Sequence, residues 1–555
     1  MLDRFGPVLW TVVALVIAYS IHTLRRWRYL RFEQFADLPQ PGKPSFIWGH
    51  IKKLADLARK KGDPRRHFDL LIAEARSEAG NPPAILLDLR PLSDPMLVIC
   101  DHEVAEQVSR PSARWSWSTP KSPTLKQIWH LTGNHSIITS EGDHWKGQRR
   151  KLNPGFAPQH LLTLLPVILD KTQIFLNRLD HYANTGEEFL LDELCVTLTF
   201  DVIGAVTMGK DFNAQLPGQQ SEILLSFRGI SEEYTKRSGP EIPILNWRSH
   251  RIRRRFANRL DNLLKETVRE EYIKVVSGET SSRSVLSLSL QGAEELTPEL
   301  LQQTSDNLRL FLFAGHDTTS ILLEWAFYEL SKSPQQQRAI RVELDELFGT
   351  DSDPKLVREK LLAPGGSETL SRMPYTSAVI KETLRLHPPA GTVRWTEPGT
   401  NFQLDLGDGK QICADGCVLY LCSTLIQRDR NVYGETADRF VPERWLGDSS
   451  SIPASAWRPF ERGPRSCIGL ELANIEAKVI LACAARRYNF QKVGLGELEV
   501  DGEGKPVPDE QGYYRTKSEL FNVGITDRAK SAQVTAKPVD RTVMKVRLSE
   551  QAIRT

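Results

Sequence analysis

The chain has 555 residues, with 72 Lys and Arg against 69 Asp and Glu, a formal net charge of only +3. That balance gives no electrostatic footprint for a nucleic-acid partner, and a hydrophobic content of 40% suits a globular core. Seven cysteines without a disulfide-like framework fit a reducing compartment, and the absence of a Gly/Ser linker or fixed-period repeat points to one large domain.

In chain order, the first element is apolar: Phe5 to Leu24 contains no Asp, Glu, Lys or Arg. As a helix it would cover roughly 30 Å, one hydrocarbon core. Arg25, Arg26, Arg28 and Arg31 follow it, and the positive-inside rule places that side in the cytosol. A cleaved signal peptide would carry its basic residues before the apolar run and a small-x-small site after it, which this sequence does not. Leu38 to Phe46 (LPQPGKPSF) is denied helix by its prolines and reads as a stiff spacer. The predicted organisation is an anchor over 1–24, a basic and proline-rich hinge over 25–46, and a globular domain over 47–555.

Further on, HWKGQRRKL sets Trp145 and Arg149 at i, i+4 on one helix face. The longest helical pattern starts with Thr297 as N-cap and Pro298 at the first helical position, and ends at Pro334. Its middle breaks the apolar periodicity with Ala314, Gly315, His316, Asp317, Thr318 and Thr319. Glycine weakens a helix, Thr318 can bond back to the carbonyl of Ala314, and a charged Asp317 among apolar neighbours is costly without a purpose. His316 is given no role. KETLRLHPP places Glu382 and Arg385 at i, i+3 before Pro388 and Pro389 stop the helix, Arg394 follows in PPAGTVRWTEP, and FVPERWL supplies Arg444. QICADGCVLYLCS alternates like a strand pair, and the spacing of Cys413, Cys417 and Cys422 matches no zinc pattern.

PFERGPRSCIG then holds Phe460, Gly463, Arg465, Cys467 and Gly469 just before a new helical pattern beginning at Leu470. Free N–H groups at a helix start favour a thiolate over a thiol. A single thiolate does not build a zinc site, but it suits an axial ligand on haem iron, where the porphyrin supplies the other ligands.

These residues resemble the haem-binding loop of the cytochrome P-450 family, the haem-thiolate monooxygenases, and the chain resembles a eukaryotic microsomal member, fungal in character. The resemblance implies a mainly α fold with small β-sheets behind a single N-terminal transmembrane helix, and haem b (iron protoporphyrin IX) as cofactor. It implies Cys467 as the metal ligand, Phe460 shielding the sulfur, and Gly463 and Gly469 shaping the loop against the haem. Arg465, Trp145, Arg149 and Arg394 would meet the propionates. Ala314 and Gly315 would leave room for dioxygen, and Asp317 with Thr318 would deliver protons during oxygen activation. Glu382, Arg385 and Arg444 match the family's structural triad.

Electrons are expected from NADPH through a separate reductase, because no flavin or nicotinamide fingerprint is present; Arg458, Arg462, Arg465 and Lys478 are candidates for a basic docking patch. The expected location is the endoplasmic reticulum membrane, single-pass, with a cytosolic catalytic domain. Residues 112–131 and 226–247 lie where the family's substrate-contacting loops fall. Their mixture of aromatic and polar residues implies a small, bulky, hydrophobic substrate, taken as a polyketide or terpenoid of secondary metabolism. The alternatives are a fatty-acid hydroxylase and a haem-thiolate isomerase or dehydratase that needs no external oxygen. The presence of Asp317 and Thr318 argues against the last.

Overall fold

The computed structural model describes residues 6–60, 63, 65–235, 247–279, 283–407, 409–447, 451–523, 535–550 and 552. Helices dominate. Those that position the site are α1 (Gly6–Arg28), α2 (His102–Ser109), α3 (Gly142–Leu152), α4 (Leu191–Met208), α5 (Glu222–Thr235), α6 (Trp247–Ser277), α7 (Pro298–Lys332), α8 (Pro374–Leu386) and α9 (Leu470–Arg487).

α7 is the axis of the molecule. Thr297 caps it as its sequence suggests, accepting from the Leu300 N–H at 3.2 Å, and it is buried over most of the stretch from Thr304 to Leu330. Its 35 residues span about 52 Å. α4 lies along it, and both helices bury residues on nearly all sides, which explains their continuous apolar composition.

The principal sheet runs in the order β1 (Ala84–Leu87), β2 (Met96–Ile99), β4 (Val418–Leu421), β3 (Thr392–Trp395). β2 and β4 are parallel, with Met96 opposite Val418, and β3 returns antiparallel with Arg394 opposite Leu419. A three-stranded sheet joins Phe189–Leu190, Val543–Leu548 and Tyr488–Lys492. The expected strand pair around Cys413 and Cys417 is not a pair: Gln411–Cys413 bonds to Gln403–Asp405, whereas β4 is taken up between β2 and β3.

α1 presents apolar side chains outward, with Trp10 73% and Leu15 65% exposed. Among the described residues no helix is long and apolar enough to cross a membrane. The hinge differs from a simple spacer. Arg31 is buried, paired with Asp88 at 2.6 Å and donating to the carbonyls of Phe46 and Ile47 at 3.0 and 2.8 Å. It therefore ties the hinge to the globule and does not join the exposed basic run.

Candidate active site

The middle of α7 separates two cavities. The larger, of ≈ 300 Å³, is lined by Phe311, Ala314, Thr318, Thr319 and Leu322 of α7, by Ile137 and Trp145, and by the loop from Arg458 to Ile468. The smaller, of ≈ 220 Å³, lies on the other side of α7, against Val196 and Phe200 of α4 and Phe227, Arg228 and Ser231 of α5.

Cys467 is exposed to the larger cavity. Its loop is held by the Cys467 N–H donating to Phe460 O at 2.9 Å and the Ser466 N–H donating to Gly463 O at 3.1 Å. Gly463 has φ +73°, and a Cβ there would lie 2.2 Å from the carbonyl oxygen of Ser109 at the end of α2. The loop therefore fits against α2 only with glycine at that position. Gly469 has an ordinary negative φ, and a Cβ on it would make normal contact with Cys467 Sγ at 3.8 Å. The expected thiolate is not favoured by the surroundings alone. Burial pushes the Cys467 thiol up, outweighing the Gly469 N–H, Arg149 and Lys121, which pull the other way.

Cations converge on the same end of the cavity. Arg149 donates to Ser466 O at 2.7 Å and to Asn153 Oδ1 at 2.8 Å. Arg465 lies over the Trp145 ring at 4.7 Å and reaches Ser140 O and Glu141 Oε2 at 2.9 and 3.0 Å, and burial brings its pKa down to about 10. Lys121 lines the cavity and is bridged to Arg394 of β3. Burial, with Arg394 and Arg465 nearby, pulls Lys121 well below its ordinary value. Arg394 is fully buried, and none of its three guanidinium nitrogens has a hydrogen-bond partner. Such a group asks for an anion.

The predicted residues of α7 divide between the cavities. Ala314 and Thr318 face the larger one, with Thr318 Oγ1 bonded back to Ala314 O at 2.8 Å. Gly315 does not. A Cβ on Gly315 would lie 2.5 Å from Ile203 Cδ1, so this glycine lets α4 pack closely and makes no room over the larger cavity. Asp317 faces the smaller cavity, takes a hydrogen bond from Thr535 Oγ1, and pairs with Lys537 at 2.7 Å. Burial alone would raise its carboxyl, but Lys537 and His316 hold it below the usual range. His316 also lines the smaller cavity, its ring tilted against Phe200 with centroids 4.3 Å apart, and burial lowers its pKa to about 4.

The triad is assembled. Glu382 and Arg385, both on α8 and fully buried, pair at 2.8 and 2.9 Å, and Arg444 reaches Glu382 Oε1 at 3.0 Å. The proposed basic docking patch is not formed by the residues named for it. Arg458 is buried against Glu106, Ser109 and Glu461. Arg465 faces inward, Lys478 Nζ donates to Leu370 O at 3.0 Å, and Arg462 is bound to Glu106. Glu106 on α2 and Glu461 in the loop hold Arg458, Glu106 holds Arg462, and Glu141 holds Arg465.

Sequence reasoning missed Lys121, Glu141, Thr535 and Lys537. None sits in a periodic or spaced pattern, and only their contacts across the fold bring them to the site. Of the two segments expected to touch substrate, the first reaches the larger cavity through Lys121 and the second lines the smaller one through Phe227, Arg228, Ser231, Glu232 and Tyr234. Residues 236–246 of the second segment lie outside the described residues.

The family model described as Cytochrome P450 matches residues 39–503. The chain is 31% identical to "Cytochrome P450 monooxygenase acrF" of Aspergillus aculeatus over 433 residues, 73% of this chain and 84% of that protein. It is 30% identical to "Cytochrome P450 monooxygenase polC" of Polytolypa hystricis over 500 residues, 86% of each. A "Bifunctional cytochrome P450/NADPH--P450 reductase" of Aspergillus oryzae is 30% identical over 362 residues, 63% of this chain and 31% of that protein.

Proposed function

The chain belongs to the cytochrome P450 family and is an oxidoreductase of its monooxygenase kind, using haem b; from that premise we propose that it inserts one oxygen atom from dioxygen into a bulky hydrophobic substrate, a polyketide or terpenoid. The observation that carries this reading is Cys467 open to a cavity whose α7 wall is apolar except for Thr318 and Thr319. The residues present fit the cofactor: a thiol at one wall, and at the same end a set of cations of which Arg394 has no hydrogen-bond partner. Cys467 would ligate the iron, and Arg149, Arg394, Arg465 and Lys121 would meet the propionate carboxylates. When bound, haem b supplies the redox-active iron at which dioxygen is reduced.

The chain's own part in the reaction is to exclude water and move protons. Thr318 Oγ1 both donates and accepts, and stands at the cavity wall. Asp317, next in the chain but turned about 100° round the helix toward the smaller cavity, would recharge a water chain that ends at the Thr318 hydroxyl. Thr318→Val keeps the shape and removes the hydroxyl. Reconstitution would use an NADPH-dependent reductase and whichever of three probes, a terpenoid alcohol, an aromatic polyketide or lauric acid, perturbs the haem spectrum. In Thr318→Val, NADPH consumption should continue while more oxygen leaves as peroxide and product per NADPH falls severalfold. Equal product per NADPH in both proteins contradicts the assignment, and turnover without NADPH or dioxygen would select an isomerase instead.

Electrons arrive from a separate NADPH-dependent reductase in this reading; the Aspergillus oryzae relative is named for carrying both activities. The exposed apolar face of α1, followed by Arg25, Arg26 and Arg28, supports anchoring in the endoplasmic reticulum membrane with the globule in the cytosol. Protease added to intact microsomes should then degrade the globule, and its protection would reverse the orientation.

A further inference from the structure

Between α1 and β1 the chain exposes apolar side chains at a loop tip. Ser45 and Gly49 exchange backbone hydrogen bonds, the Ser45 N–H to Gly49 O at 2.8 Å and the Gly49 N–H to Ser45 O at 3.0 Å, so residues 46–48 form the tip of a tight turn. That tip is Phe46, Ile47 and Trp48, which are 40%, 54% and 47% exposed. Exposed tips are ordinarily small and polar. Three large apolar residues in succession at one make a surface that water does not favour. The tip does not stand alone. The Phe46 ring lies 6.3 Å from that of Trp27, in the last turn of α1, and 6.2 Å from that of Phe32. Trp27, Tyr29 and Phe32 are exposed as well. Two stretches of chain thus meet in one aromatic patch, and Arg25, Arg26 and Arg28 stand beside it at the end of α1.

The patch is fixed to the globule through Asp88, the residue after β1. Arg31, which lies between the members of the patch in sequence, pairs with Asp88 and donates to Phe46 O and Ile47 O. At the base of the loop the His50 N–H donates to Asp88 O at 2.8 Å, and His50 Nδ1 accepts from the Asp88 N–H at 2.9 Å. Gly49 has φ +51°, and a Cβ there would lie 2.2 Å from Asp88 O, so the loop closes on Asp88 only with glycine at that position. What covers the patch follows from α1. Every residue from Trp10 to His22 is exposed, so the apolar side chains of α1 find no cover in the globule, and the patch continues their surface. An apolar helix, then Trp and Tyr, with arginines at the same level, is the order found across a lipid interface, where amphipathic rings lie at headgroup depth and long cationic side chains reach the phosphates. A second copy of the chain fits less well, because a two-fold contact through the patch would bring both arginine clusters together.

We propose that Trp27, Tyr29, Phe32 and the tip Phe46–Ile47–Trp48 form a docking surface for a phospholipid bilayer, seated at headgroup depth, and that its attachment to Asp88 sets how the globule faces the membrane. The proposal rests on the reading of α1 as a membrane anchor, and adds that the segment after it is a rigid seat and not a tether.

The test is a spin label on Ile47→Cys in the haem-loaded full chain. Cys413→Ser is the background, since Cys413 is the one exposed cysteine besides Cys467. Val342→Cys, on an exposed position of the helix Pro334–Phe348, is the control. Vesicles of phosphatidylcholine and phosphatidylserine are added. The chain should float with the vesicles. Collisions of the Ile47→Cys label with a water-soluble nickel complex should fall severalfold and those with oxygen should rise, while the Val342→Cys label stays as it was. A chain that floats while the Ile47→Cys label remains open to nickel overturns the seat and leaves the anchor standing. A chain that stays in solution overturns the anchor and the seat with it. Protection that appears without vesicles as protein concentration rises gives the patch to a second copy and overturns the proposal. If Ile47→Cys gives no holoprotein, brominated lipid decides: it should quench less tryptophan fluorescence in Trp48→Phe than in the wild type, and equal quenching overturns the proposal.

Discussion

Replacing Glu382 with alanine should leave almost no folded holoprotein. Glu382 is fully buried and accepts from four sources: Arg385 at 2.8 and 2.9 Å, Arg444 at 3.0 Å, the Val441 N–H at 2.9 Å and Trp445 Nε1 at 2.9 Å. Arg385 keeps the carbonyls of Gln427, Ala437 and Arg439 in the variant, but its charge is left without a counter-ion in a fully buried place. Removing one partner of a buried ion pair costs about 3–5 kcal/mol. The two donors that lose their acceptor add roughly 1–3 kcal/mol each. The sum rivals the whole stability of a typical domain, about 5–15 kcal/mol. Glu382→Gln, which keeps two acceptor lone pairs and loses the charge, should fall between alanine and wild type. The yield of soluble, haem-loaded protein and its thermal midpoint are the readouts, and a wild-type midpoint for Glu382→Ala would remove the triad from any role in holding the core.

Gly463→Ala should be nearly as damaging, for a different reason. The left-handed conformation at φ +73° costs a side-chain-bearing residue about 1–2 kcal/mol. The steric cost is greater. The added carbon would sit 2.2 Å from the Ser109 carbonyl oxygen, a backbone atom at the end of a helix, so the loop carrying Cys467 has to move. Gly447→Ala is the control: its φ is +68°, yet nothing lies within 4 Å of its added carbon, so it meets the conformational cost alone. We expect Gly447→Ala to retain haem with a small drop in midpoint and Gly463→Ala to lose most of it. Equal haem content in the two variants would show that the contact with α2 does not set the loop.

How much of this was legible beforehand depended on how far each signal reaches along the chain. The bounds of α7 were written locally, in Thr297, Pro298 and Pro334, and the cap forms as its residues suggest. The members of the triad lie in recognisable stretches, and the fold brings them together. Facing direction was harder. Gly315 and Asp317 share a motif with Ala314 and Thr318, but the helix turns about 100° per residue, so neighbours in sequence serve opposite sides: α4 and the smaller cavity on one, the larger cavity on the other. Arg458 and Arg462 of the Cys467 loop read as part of a surface patch because Glu106 on α2, which binds both, lies some 350 positions away in the chain. Lys121 and Lys537 are single lysines in unpatterned segments, and their meaning exists only in the tertiary structure.

The central claim is that Cys467, open to the larger cavity from a loop pinned by Phe460 and Gly463, is the residue that binds haem iron. Burial pushes the free thiol up against the pull of the Gly469 N–H, Arg149 and Lys121, and bound iron would favour the thiolate. The most direct measurement is the Soret spectrum of the reduced protein under carbon monoxide, for wild type and Cys467→Ala side by side. The wild type should give the red-shifted band of a thiolate-ligated haem and Cys467→Ala should lack it, while a variant that keeps the band would place the ligand elsewhere.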